Sequence, residues 1–117
     1  MSLGGRAALG IGLLRPKSFR VVASLQAALR SDNSADILRR AREAKLEKPE
    51  LFVRLLTSSD DYFLKANQLL ALDLKAIGIR TEVVTIPGPH DYEFNRGPGG
   101  YEMLMFHDRV LRHQPEF

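Results

Sequence analysis

The 117-residue chain contains no cysteine, which removes disulfide frames, thiolate nucleophiles and zinc-thiolate sites from consideration. It also lacks a long hydrophobic run. The longest uninterrupted apolar-plus-glycine stretch, residues 7–14, is far too short to cross a bilayer. Arg6 among the early glycines does not give the charged-then-apolar order of a signal peptide. A cytoplasmic protein with no membrane partner is therefore expected. No complete phosphate-loop or dinucleotide motif occurs, and Gly4-Gly5-Arg6 is the nearest approach to an anion site. His107 and His113 are six residues apart and do not share a helix face as zinc ligands at i,i+4 would, so no metal is expected. Ser31-Asp32-Asn33 matches a β-lactamase triplet by letters, but the Ser-x-x-Lys nucleophile motif that should accompany it is missing.

Charge is present but balanced: 17 basic residues against 14 acidic give a net +3. Arg39, Arg40, Arg42, Lys45 and Lys48 cluster, yet Asp36, Glu43, Glu47 and Glu50 are interleaved with them at helical i,i+3 and i,i+4 spacing. No aromatic residue interrupts the run. It reads as a solvated helix face, and no nucleic-acid partner is expected.

Residues 1–117 read as a single domain in which helical and strand patterns alternate. Residues 3–14 are apolar nearly all round and predict a buried helix, ended by Arg15-Pro16-Lys17. Residues 19–25 predict the first strand. Ser31-Asp32-Asn33-Ser34 forms a turn and cap cluster before a charged amphipathic helix over 35–46. Residues 51–56 predict the second strand. The strongest helix spans 62–77, with Phe63, Ala66, Leu70, Leu74 and Ile77 on one stripe and Gly78 as its stop. Residues 80–86 predict the third strand, broken by Pro87-Gly88-Pro89. A loop over 96–100 leads to a closing helix over 101–113. Strands separated by helices predict an α/β fold: an open, three-layer arrangement of parallel strands with helices on both faces. Ligands gather at the carboxyl ends of such strands.

Three loops bring chemistry to that edge. Met1-Ser2-Leu3-Gly4-Gly5 reads like G-x-S-x-G without its first glycine and leading strand, and an apolar helix follows. Asp60-Asp61 follows the second strand and His90 the third. A serine hydroxyl needs a base to take its proton, and an imidazole suits that role when a carboxylate fixes its tautomer. The backbone N–H of Leu3, at a helix start, is placed to stabilise a developing oxyanion. The order serine, aspartate, histidine is that of α/β-hydrolases. Asp60 and Asp61 remain alternatives on this ground, and either can also cap the helix that follows.

The stretch 55–67, Leu-Leu-Thr-Ser-Ser-Asp-Asp-Tyr-Phe-Leu-Lys-Ala-Asn, resembles the acid loop of bacterial α/β-hydrolase esterases in the esterase D, S-formylglutathione hydrolase and enterochelin-esterase-like branch. Thr85-Ile86-Pro87-Gly88-Pro89-His90-Asp91-Tyr92-Glu93-Phe94 resembles that branch's histidine loop, and Ser2-Leu3-Gly4-Gly5-Arg6 its elbow. The resemblance implies a partial α/β-hydrolase fold, corresponding to the second half of such an enzyme. It implies Ser2 as nucleophile, Asp61 as orienting acid, His90 as base, small acyl esters as substrates and no cofactor. Asp61 is favoured over Asp60 because the family's acid stands six residues before an asparagine placed like Asn67. A catalytically silent unit that persists by association is the other expectation: residues 19–25 would then form an apolar edge that pairs with another copy or with a separate N-terminal half.

Overall fold

The structure, a computed structural model, describes residues 1–112. The elements are α1 (Leu3–Leu14), a 3₁₀ turn (Pro16–Ser18), β1 (Val22–Leu25), α2 (Ser31–Glu47), β2 (Phe52–Asp60), α3 (Leu64–Ala76), β3 (Arg80–Pro89), α4 (Tyr92–Arg96) and α5 (Pro98–Arg112). The three strands form a parallel sheet in the order β1-β2-β3, with Val22 opposite Val53 and Phe52 opposite Arg80. Each crossover is a helix, as parallel pairing requires.

Alternation along β2 divides the core in two. Val53 and Leu55 point to the face covered by α1, α2 and α3, where they meet Leu9, Leu13, Ile37, Ala41, Leu70 and Leu74. Phe52 and Leu56 point to the other face, under Phe106 and Val110 of α5 and Phe94 of α4. Buried on both sides, β2 reads as a near-continuous apolar run. Its one charged residue in that run, Arg54, is only 3% exposed. It is tied to Glu82 at 3.2 Å and Glu102 at 2.7 Å, and its guanidinium lies 4.1 Å from the Phe106 ring centroid. Burial of a charge is tolerated here because both carboxylates and the ring face it.

Several element boundaries differ from the sequence expectation for local reasons. The charged helix begins at Ser31, because the Asn33 carboxamide reaches back to accept from the Arg30 N–H at 2.7 Å. β3 runs through Pro87 and Pro89 rather than stopping before them. It is an edge strand whose Gly88 N–H donates inward to Ser59 Oγ at 3.2 Å, so the proline nitrogens fall on the open side and cost no ladder bond. The expected loop over 96–100 is helical from Pro98, a residue suited to a first helical position. His113 lies outside the described residues.

The expectation that α1 is buried all round is corrected. Gly5, Leu9, Gly12 and Leu13 pack inward, whereas Leu3, Ala7, Ala8, Ile11 and Leu14 are exposed. The sheet can cover only one side of a helix, and no described element covers the other.

On α5, His107 is half-buried, and burial first, then the charge of Arg54, pushes its pKa below the ordinary 6.5. The unfolded chain takes up this proton more readily than the folded one. Stability should therefore fall as pH drops below 6.5 toward the lower folded value, and be free of this effect above 6.5. Thermal unfolding between pH 5 and 8 should give a flatter profile for His107→Gln across that window than for the parent.

Candidate active site

Ser2 stands at the turn into α1 with φ 53° and ψ −116°, a backbone conformation that costs a non-glycine residue about 1–3 kcal/mol. The surrounding bonds hold it there. Its N–H donates to Gln26 O at 2.9 Å and lies 3.2 Å from Leu25 O, while its carbonyl accepts from Arg6 N and Ala28 N, each at 3.0 Å. A single parallel bridge to Ala27 places Ser2 beside the carboxyl end of β1. Leu3 opens the helix, so its N–H has no intrahelical acceptor and remains free to meet an anion. The steric demand for glycine falls one residue later than the G-x-S-x-G spacing suggests. A Cβ at Gly5 would sit 2.7 Å from Leu25 O, whereas one at Gly4 would meet nothing within 4 Å. α1 crosses the end of β1 at Gly5, and this contact brings the serine turn onto the sheet edge.

Asp61 follows the end of β2, its side chain fully buried. His90 Nδ1–H donates to Asp61 Oδ1 at 2.9 Å. The same carboxylate accepts from Thr57 Oγ1 at 2.7 Å and from the Phe63 N–H at 2.9 Å. Asp61 therefore both starts the turn into α3 and orients the imidazole. Asp60 is exposed and takes no part. A neutral imidazole that donates from Nδ1 carries its lone pair on Nε2, the state that can accept a hydroxyl proton. The ring is fixed further by Tyr62, with centroids 4.6 Å apart, and edge-on by Phe63 at 5.6 Å.

Among the described residues no hydrogen bond joins Ser2 to His90. Asp61 and His90 are brought into contact, and Ser2 is brought to the same edge. The link between them is a residue that sequence reasoning missed. Gln26, completely buried and with φ 47°, accepts from Ser2 N through its carbonyl. Its side-chain Nε2 donates to Ser58 Oγ at 2.7 Å and to Pro89 O, next to His90, at 2.9 Å. Asn67 adds a second tie: its Nδ2 donates to Ala27 O at 3.2 Å and Phe63 O at 2.9 Å. A buried glutamine has no sequence period to announce it. The clue was only its place just after a strand.

Compared with solved structures, the chain is similar to a ferulic acid esterase, with a TM-score of 0.76 and 19% identity over 93% of its own length. It spans 48% of that chain, about half the neighbour's length. No family model and no curated protein matches. At this identity the likeness is one of fold: an esterase-like α/β arrangement. No group of three or more histidine, aspartate or glutamate side chains among the described residues is placed to hold a metal ion, and no described helix is long and apolar enough to cross a membrane.

The contact at Gly5 gives a direct test of how the serine turn is seated. Gly5→Ala should lower unfolding free energy by about 1–3 kcal/mol, since backbone cannot yield as a side chain can. Gly4→Ala should stay within about 0.5 kcal/mol of the parent. Urea denaturation of the two variants makes the comparison.

Proposed function

We propose that this chain carries the acyl-transfer site of a serine carboxylesterase, with Ser2, Asp61 and His90 as its triad. The observation that carries this reading is the buried Asp61–His90 pair at the sheet edge where Ser2 occupies a strained turn before a helix. Ser2 Oγ attacks the ester carbonyl while His90 Nε2 takes its proton. The proton then passes to the departing alcohol, leaving an acyl-serine. Water attacks that acyl group with His90 again as base, releasing the acid and restoring Ser2. Asp61 holds the ring in the required tautomer and stabilises the imidazolium. The Leu3 N–H meets the oxyanion of each tetrahedral intermediate, with the α1 dipole behind it. None of these steps calls for a cofactor.

The substrates are small acyl esters, and the branch is that of esterase D, S-formylglutathione hydrolase and enterochelin esterase, on the motifs around Ser2, Asp61 and His90. The structural neighbour is named for ferulic acid, so an aromatic acyl ester belongs in the substrate panel. Leu3 N–H is one oxyanion donor. Loss of one such donor costs about 100- to 1000-fold in rate.

A fluorophosphonate probe should label the folded chain at Ser2, located by mass spectrometry of the adduct. Ser2→Ala should abolish labelling, and His90→Ala should slow it by about 1000-fold or more. An adduct elsewhere, or none on folded protein, would overturn the assignment.

A further inference from the structure

Asp61 occupies the Nδ1 edge of the His90 imidazole, and the rings of Tyr62 and Phe63 lie against it. The His90 side chain is only 6% exposed. Tyr62 is 72% exposed, so most of the open surface at the base is tyrosine ring. An exposed tyrosine by itself is ordinary. This one stands 4.6 Å from a nearly buried imidazole, with the planes at 32°, so a molecule that reaches Nε2 meets its ring as well.

The setting of Tyr62 is fixed before any ligand arrives. Asp61 accepts from the Phe63 N–H at 2.9 Å through its carboxylate and from the Leu64 N–H at 3.0 Å through its carbonyl, which closes a turn around Tyr62. Phe63 meets the Tyr62 ring edge to face, with centroids 5.0 Å apart and planes at 76°. A ring already held in place loses little freedom when a ligand packs on it.

During acylation the proton taken from Ser2 passes from His90 Nε2 to the alcohol oxygen as the ester C–O bond breaks. That oxygen lies about 3 Å from Nε2. A ring one carbon beyond it falls within about 4.5–7 Å of the Tyr62 centroid, the range of aromatic pairs. The acyl group stays with Ser2 beside the end of β1, whereas Tyr62 follows β2 and His90 follows β3. We propose that Tyr62 sets leaving-group specificity: its ring receives the alcohol part of the ester and favours alcohols with an aromatic ring one carbon from the oxygen, as in a benzyl ester. A short alkyl alcohol reaches the same place but gains no ring pairing. The inference rests on the triad reading of Ser2, Asp61 and His90 and adds the alcohol side to it.

Benzyl acetate and ethyl acetate share the acyl-serine and its deacylation, so they differ only in the departing alcohol. Tyr62→Leu should lower the benzyl-to-ethyl ratio of kcat/KM by about 2- to 12-fold. Tyr62→Phe, which keeps the ring, should preserve it. A tyrosine that only braced His90 would slow both esters alike in Tyr62→Leu, and an unchanged ratio would overturn the proposal. A measurement without turnover separates this inference from the triad itself. Benzyl alcohol, titrated into isotope-labelled protein, should shift the His90 ring signals in the NMR spectrum, and bind more weakly to Tyr62→Leu; ethanol should leave them in place. Fluorophosphonate labelling at Ser2 without any such Tyr62-dependent shift would overturn the inference and leave the triad standing. Shifts on a folded chain that does not label at Ser2 would overturn the triad, and the leaving-group role with it.

Discussion

Gln26 ends β1 with its backbone N–H on Leu56, its carbonyl on Ser2 and its side-chain amide on Ser58 and Pro89. Three segments far apart in sequence are thus fixed to one completely buried residue. Such a node is demanding. A buried N–H left without a partner costs about 1–3 kcal/mol, so the side-chain Nε2 holds the histidine loop through Ser58 and Pro89 while the backbone carbonyl holds the serine turn. The side-chain Oε1 has no hydrogen-bond partner among the described residues. Ser58 Oγ reinforces the arrangement by also donating to Pro89 O at 2.9 Å. The relative position of hydroxyl and imidazole is set through this shared polar core more than through any direct contact between them.

The two faces of the sheet serve different ends. The α1–α3 face is almost purely apolar and carries the main core. The α4–α5 face has a smaller core around Phe94 and Phe106 and accommodates Arg54 through two carboxylates and an aromatic ring. Phe94 also seats the histidine loop: a Cβ at Gly88 would lie 2.7 Å from its ring, and one at Gly99 only 2.4 Å. Asp91, one residue past His90, caps α4 by accepting from the Phe94 N–H at 2.8 Å. His90 thus stands between a capped helix and an edge strand, with aromatic rings against it.

Much of this was legible in one dimension. Alternating β-branched and helical periods predict the parallel sheet, because each pattern reports which side of an element meets the core. Asp61 and His90 are legible as loop residues after successive strands. What stayed hidden has a common cause. Gln26 and Arg54 act through partners 63 and 48 residues away, and no local pattern marks such a pairing. The apolar run of α1 misled for a related reason: composition tells that a face is apolar, not whether anything covers it.

The sequence by itself determined the order of the three strands and the four longer helices, the layered α/β class and the loops that carry Ser2, Asp61 and His90. Those follow from short-range periodicity and turn chemistry. Periodicity left Asp60 and Asp61 open, and the resemblance favoured Asp61. The tertiary structure puts Asp61 against His90, and it alone decided that Gly5 rather than Gly4 is the glycine required by close contact and that Gln26 joins the serine turn to the histidine loop. Those choices depend on distances of about 3 Å between segments brought together by packing, and such distances exist only once the sheet has formed.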